Sequence, residues 1–490
     1  INFAGSEMCE PFLIIGIPPA GNKKSNPQIL VAYPPFQIPN FPINNIIEQS
    51  FPTGVDRSNL KTTIKHALQD EFVFQLNTTE QKLYGVCVHI NPRGGKNVFY
   101  TSKNTKKFNF CFCLLTKVPL FSSHFTFLSF LALFSIGKIP NPLDIKGSYD
   151  PILAPCGDLI PNLDLTSKIG HFHGIEVPDI FEKQLARYFV QTFTSPPILL
   201  APNFELCWLP EQMLNISVLL TSIDTLFSLL SVRDVVTIFS GLILDAQILV
   251  IGSYLQEVSM VIYALHSLLS PFNFAGTVFP ILPNTMHTFD LLQLPTPFMF
   301  GMAPNPQLKK ITFLESCFIV DLDKQRVSVS DFFPQIPKFD RIVENITAIL
   351  NHSLQRTVTD NPYCFPTCFT CYLNHKYKLE MQEVDSILTE LREPFQSIIT
   401  DRLMQFFVTD AAENITIFNS ELFMASVDGE SAKYFEALMD SQTFQDYVEE
   451  KLTAFMQSKG ELSPSERQRR PSFSGRTRKR SATRTKRMPE

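Results

Sequence analysis

Between residues 218 and 329 the chain alternates helix-length amphipathic runs with short apolar ones. This alternation restricts the fold more than any other feature of its 490 residues. VLLTSIDTLFSLL puts Leu219, Leu220, Ile223, Phe227 and Leu230 on one helical face. SVRD opens a second helix, with Ser231 as its cap and Asp234 three residues on. That helix ends near Asp245, and QILVIGS follows as a short buried strand. Ser253 and Gln256 read as a capping box for a helix running to Leu269, where Ser270-Pro271 stops it. GTVFPILP and PFMFGM are further short strands, and SCFIVDLDKQRVSV is a strand, a turn and a strand. Strands separated by helices of this length predict a mostly parallel sheet with helices packed on its faces.

The flanks differ. Upstream, PFLIIG, ILVAYPP, EFVFQLN, KLYGVCVHI and KFNFCFCLL read as strands, followed by a helix after Pro119. Residues 138–205 are broken by Pro and Gly apart from a helix in IFEKQLARYFVQTF. Downstream, EMQEVDSILTEL, FQSIITDRLMQFFV, ELFMAS, AKYFEALM and QTFQDYVEEKLTAF are amphipathic helical segments. The fold class expected is α/β. A small N-terminal α/β module spans residues 8–137, and a central module with a mostly parallel sheet spans 138–335. A helical module follows at 336–457, then a tail at 458–490. The run Leu120–Gly137 is 18 residues without a formal charge, but its three serines before Ser135, with His124 and Thr126, suit a helix buried between modules better than a membrane span.

Charge is distributed unevenly. Residues 459–490 hold eleven Lys and Arg against three Glu, a net of +8, so the −5 of the whole chain leaves −13 on residues 1–458. The tail has almost no large apolar groups and cannot build a core, so it reads as a disordered basic arm. Its candidate contacts are Arg469, Arg470, Arg476, Arg478, Lys479, Arg480, Arg484, Lys486 and Arg487, facing an anionic membrane surface or a partner; no specific nucleic acid is expected. RRPSFS within it resembles a basophilic kinase site. The ten cysteines fall mostly on apolar runs, as buried thiols in a reducing compartment rather than a disulfide framework.

Motifs for covalent chemistry are weak. Cys364, Cys368 and Cys371, with His375 nearby, have ligand-like spacing, and a metal-binding protein centred on them is one reading of the chain. All four ligands would have to wrap a metal within twelve residues, so a Cys-rich apolar loop is the plainer reading and no metal or cofactor is assigned. GIPPAGNKKS has its lysines and serine out of phosphate-loop register, and its prolines remove amides a phosphate needs. No G-x-S-x-G, H-E-x-x-H or dinucleotide fingerprint occurs.

IFSGLILDAQILVIGS, then YLQEVSMVIYALHSLLSPFNFAGTVFPILP, LPTPFMFGM and IVDLD, resemble in order the central module of DENN domains. ILVAYPP, FPTGV, LYGVCV and CLLTKVPLF resemble the family's longin-like N-terminal module; IFNSELFMAS and SQTFQDYVEEKL resemble its C-terminal helical module. The resemblance covers residues 8 to 455. It departs from the family pattern at Ala246 and Gln247, where basic residues often follow the acidic one, and at Phe274, Ala275 and Gly276, where a Trp and a polar pair are usual. The resemblance implies a guanine-nucleotide exchange factor for a Rab-family GTPase: a regulator without covalent chemistry, cytoplasmic, active in vesicle trafficking and peripheral at endomembranes. A DENN-fold scaffold or heterodimer regulating a GTPase without exchange is the alternative within the fold. Partner contacts are expected at Asp245, Gln247, Gly252, Ser253, Tyr254, Pro283, Asn284 and His287.

Overall fold

Two large sheets, one antiparallel and one mostly parallel, meet through helices packed between them. The computed structural model describes residues 11–18, 26–33, 43–54, 68–77, 82–90, 110–135, 170–171, 177, 179–189, 191, 198–201, 204–206, 211–284, 286–311, 317–329, 333–354, 379–410 and 415–458.

The first sheet is built from β1 (Phe12–Gly16), β2 (Gln28–Tyr33), β3 (Leu68–Asn77), β4 (Lys82–Ile90), β5 (Phe110–Thr116) and β6 (Gly170–His171), in the order β3-β4-β5-β1-β2-β6 and antiparallel throughout. Alternate residues serve opposite faces. Phe12, Ile14, Val86, Val88, Phe112 and Leu114 pack with α2 (Phe121–Ser135) and α3 (Asp179–Phe189). Leu13, Ile15, Phe72, Phe74, Cys87 and Cys113 turn the other way, into a core that contains Ile46 of α1 (Ile43–Ser50) and the helices of the central module. The α1 helix, short and placed among prolines, and the two-residue strand β6 are elements that the sequence patterns did not predict. Gly85 stands opposite Phe74 across the β3–β4 ladder, and a Cβ there would lie 2.1 Å from the Phe74 ring, so the ring's position requires glycine. Cys87, Cys111 and Cys113 are buried free thiols, as their apolar setting predicts, and burial pushes their pKa values up.

Within the Leu120–Gly137 run, residues 121–135 form α2, which packs against β3, β4 and β5 and touches the first central helix, α4 (Leu214–Leu229); residues 136 and 137 lie outside the described residues. Among the described residues no helix is long and apolar enough to cross a membrane.

After an antiparallel pair of β7 (Ile198–Ala201) and β8 (Phe204–Leu206), the second large sheet has the order β10-β11-β9-β12-β13, formed by β9 (Gln247–Ile251), β10 (Thr277–Phe279), β11 (Phe298–Met302), β12 (Cys317–Asp321) and β13 (Arg326–Val329). The first four are mutually parallel and β13 closes the edge antiparallel. Helix α5 (Val232–Ile243) starts as its sequence predicts: Ser231 Oγ accepts the Asp234 amide, 3.1 Å away. The next helix, α6 (Leu255–Leu268), differs. Its cap position is Tyr254, without a side-chain bond, because the Ser253 hydroxyl is committed to Asp323 instead. Helix α6 covers the edge strand of the first sheet, and the Val73 amide on β3 donates to Ser259 Oγ at 3.4 Å. An edge that would otherwise offer unpaired amides is thereby closed by the neighbouring module.

The C-terminal part consists of α8 (Phe339–Leu354), α9 (Met381–Arg392), α10 (Gln396–Ile399), α11 (Ser420–Ala425), α12 (Ala432–Met439) and α13 (Gln442–Ser458); a short α7 (Met286–Leu291) precedes β11. FQSIITDRLMQFFV is not one helix. After a 3-10 turn at Asp401–Phe406 the chain forms a hairpin of β14 (Phe407–Asp410) and β15 (Ile415–Phe418). Both strands are β-branched or aromatic at most positions, and cross-strand packing of such residues overrides an amphipathic helical period.

Candidate functional site

Four parallel strands bring their following loops to one end of the second sheet. In an open α/β sheet the carboxyl ends of the strands are where ligands and partners gather. β9 leads into Gly252–Tyr254, β10 into Pro280–Asn284, β11 into Ala303–Asn305 and β12 into Leu322–Gln325. Backbone bonds knit these loops: Leu322 N–H donates to Ile251 O at 2.8 Å, Gly252 N–H to Met302 O at 3.3 Å and Leu282 N–H to Gly301 O at 2.7 Å. Gly301 is required there, since a Cβ would sit 2.1 Å from Pro280 O. The Asp323 carboxylate holds the β9 loop twice, accepting from Ser253 N–H at 3.0 Å and Ser253 Oγ at 2.7 Å.

This fixed loop presents Tyr254 outward with 63% of its surface exposed. Beside it Glu257 is half-buried, and burial followed by the negative charge of Asp323 raises its pKa. The N-terminal module reaches the same end: the Asn284 amide donates to Pro52 O at 2.8 Å. Thr288 Oγ1 on α7 bonds to Pro283 O. The backbone of His287 lies on α7, and its side chain is outside the described atoms.

The expected contact residues therefore divide. Gly252, Ser253, Tyr254, Pro283 and Asn284 share the carboxyl end, whereas Asp245 and Gln247 sit at the amino end of β9. Gln247 is buried and its amide nitrogen donates to Leu294 O at 2.7 Å and Thr296 O at 3.0 Å. Asp245, held in the left-handed region at φ 60°, points its carboxylate at the start of α13. It accepts from Thr443 Oγ1 at 2.7 Å and from the Gln442 and Thr443 amides. It thus caps a helix 197 residues away in sequence, complementing the positive end of the dipole. The Ala275 amide also donates to Thr443 Oγ1, at 3.1 Å, and Phe272 packs on Tyr447 with ring centres 4.9 Å apart. The positions where this chain departs from the family pattern, Ala246–Gln247 and Phe274–Gly276, collect around this joint to the helical part. Asp323, Glu257 and Pro52 were not singled out from sequence. Pro52 lies in FPTGV and Asp323 in IVDLD, but neither run has a pattern that brings the two turns together.

Burial raises the Asp245 pKa despite the hydrogen bonds that lower it, so desolvation offsets what its negative charge gains at the helix end. The larger part of the joint's stabilisation is then expected from the accepting oxygens. Asp245→Asn keeps an acceptor and tolerates positive φ, and its unfolding free energy is expected within about 1 kcal/mol of wild type at pH 7. Asp245→Ala loses the cap and strains the backbone, a cost of about 2 kcal/mol. Urea midpoints check both; equal losses would show that charge, not acceptance, holds α13.

Elsewhere, a cavity of about 450 Å³ lies between Gln335–Phe339 and Asp428–Ser431, where the Lys338 ammonium bonds Glu393 at 2.6 Å. Among the described residues no group of three His, Cys, Asp or Glu side chains is placed to hold a metal ion. Cys364, Cys368, Cys371 and His375 lie outside the described residues, as do Arg469 to Arg487.

A family model for the DENN (AEX-3) domain matches residues 190–325, the span that contains the β9–β12 sheet and its loops. The chain is similar to DENN domain-containing protein 2B of Homo sapiens, 26% identical over 251 residues, which are 48% of this chain and 20% of that protein. It is similar to DENN domain-containing protein 2A of Homo sapiens, 26% identical over 247 residues, covering 48% of this chain and 23% of the relative. With DENN domain-containing protein 2C of Homo sapiens it shares 29% identity over 198 residues, 37% of this chain and 21% of the other. The matched stretch is about a fifth of the length of these curated relatives. The chain thus carries, at residues 190–325, a segment that matches the DENN (AEX-3) domain, and its parallel sheet and ordered series of motifs agree with that match.

Proposed function

We propose that the protein is a guanine-nucleotide exchange factor for a Rab-family small GTPase, and that the carboxyl-end loops of β9, β10 and β12 form part of the surface that engages it. The observation that carries this reading is the DENN match over residues 190–325, which coincides with the sheet whose loops converge. Exchange breaks no covalent bond. A factor that binds the nucleotide-free GTPase more tightly than the loaded one weakens nucleotide affinity by the same ratio, by linkage. Each tenfold loosening takes about 1.4 kcal/mol of differential binding. Tyr254 suits the role of anchor, being a large amphipathic side chain on a loop that Asp323 already holds, so little ordering is needed on contact. The setting is the cytosolic face of an endomembrane in vesicle trafficking, where the basic residues from Arg469 to Arg487 would each gain about 1 kcal/mol near anionic lipid.

The test is release of labelled GDP from a panel of Rab proteins mixed with the full chain. Acceleration for one or a few members is expected. No acceleration across the panel would leave a DENN-fold scaffold as the better description.

A further inference from the structure

Of the ten large hydrophobic side chains exposed among the described residues, four fall in a 19-residue stretch: Met404, Val408, Ile417 and Leu422. Val408 and Ile417 are direct partners across the β14–β15 ladder, 41% and 53% exposed. The opposite face of the hairpin is covered, with Phe407 against Phe455 and Phe418 against Phe444, both on α13. The outer face has no such cover among the described residues. A two-stranded ribbon with an apolar outer face is marginal unless something lies on it.

Two observations identify the occupant. The first is where α13 ends. Phe455, packed on Phe407, is three residues from Ser458, so the tail begins about 5 Å further along the helix axis, beside the hairpin. The second is charge. Residues 401–458 hold eleven acidic and three basic residues, a net of −8, against +8 on residues 459–490. Within that tail, RRPSFSGR places Phe473 between Arg469, Arg470 and Arg476. The fifteen residues from Lys459 to Phe473 give a root-mean-square reach of roughly 20 Å, so no long excursion is needed.

We propose that the outer face of the β14–β15 hairpin is a docking site for the chain's own basic tail, with Phe473 seated on Val408 and Ile417. The flanking arginines face acidic residues of this part of the chain, exposed Glu421 next to Leu422 among them. Ser472 and Ser474 bracket the anchor, and a phosphate on either adds about −1.5 to −2 charges against the same acidic residues, so modification releases the tail. The inference does not depend on the GTPase reading.

The test places a photoreactive benzoylphenylalanine at position 473 of the full chain, in buffer without membranes, and locates the adduct by mass spectrometry. An intramolecular adduct within residues 404–422 is expected. Its yield should fall about tenfold with Ile417→Glu, an exposed position whose change leaves the core intact, as the loss of one apolar anchor requires. The triple variant Arg469→Glu/Arg470→Glu/Arg476→Glu, which leaves the folded body untouched, should lower it as well. So should 1 M salt, where charges are screened beyond roughly 3 Å. An adduct between two copies assigns the face to self-association and overturns the proposal. No intramolecular adduct in plain buffer, with adducts forming only in a second arm to which phosphatidylserine vesicles are added, assigns the tail to lipid and does the same. An intramolecular adduct indifferent to Ile417→Glu also overturns it.

Discussion

Taking the protein from pH 7 to pH 4 is expected to cost its fold about 3 kcal/mol through one buried histidine. His124 on α2 is wholly buried, with Nε2 3.1 Å from Val118 O and Nδ1 2.6 Å from the Tyr188 hydroxyl on α3. A carbonyl only accepts, so Nε2 carries the proton and Nδ1 accepts from Tyr188. Tyr188 is in turn fixed by stacking on Phe127, ring centres 3.7 Å apart. Burial pushes the His124 pKa down from 6.5 to about 4. The unfolded chain therefore binds the proton first. Stability is full above the unfolded value of about 6.5 and is lost as pH falls from there through the folded value. Urea midpoints at pH 7, 5.5 and 4 should drop more steeply for wild type than for His124→Gln, which is less stable at pH 7 but has no proton to take up. Parallel curves for the two proteins would remove His124 from the account. His266, also pushed down to about 4 by burial and by Lys82, contributes equally to both proteins and cancels in the comparison.

Truncating Tyr254 to alanine is expected to lower stimulated GDP release about 30-fold, the loss of roughly 2 kcal/mol that an aromatic anchor carries in an interface. Thermal stability should stay within about 0.5 kcal/mol, because the ring is exposed and packs on little of the protein. Tyr254→Phe should retain most activity if ring area, rather than the hydroxyl, makes the contact. The informative contrast is Gln247→Ala. Gln247 bonds inward to Leu294 and Thr296, so its loss should reduce stability and affect release only through folding. A Tyr254→Ala protein with unchanged release would move the partner surface away from the carboxyl end of the sheet.

These two sites illustrate what the sequence could and could not reveal. The parallel sheet was legible because QILVIGS, GTVFPILP, PFMFGM and SCFIVD are short apolar runs separated by helix-length segments, a pattern with few alternative folds. Burial of the Leu120–Gly137 run was legible from its serines and His124. The hairpin in FQSIITDRLMQFFV was not, because a 3-10 turn followed by alternating strand residues shares the helical period over so short a span. The candidate site was half legible. Loops after strands were identifiable, but which end of the sheet each occupies depends on strand direction, which no local pattern encodes. Asp245 is the clearest instance: an acidic residue at a strand entry looks available, yet its carboxylate is taken by the first turn of α13 nearly two hundred residues on. Such long-range commitments have no signature in a single sequence.

The central claim is a difference in affinity, and it is measured most directly by binding the full chain to one responsive Rab in two states, nucleotide-free and GDP-loaded. At least tenfold tighter binding of the empty form is expected, the equivalent of about 1.4 kcal/mol available to drive release. Equal affinity for the two forms would contradict the claim, since a protein that does not distinguish them has no means of displacing the nucleotide.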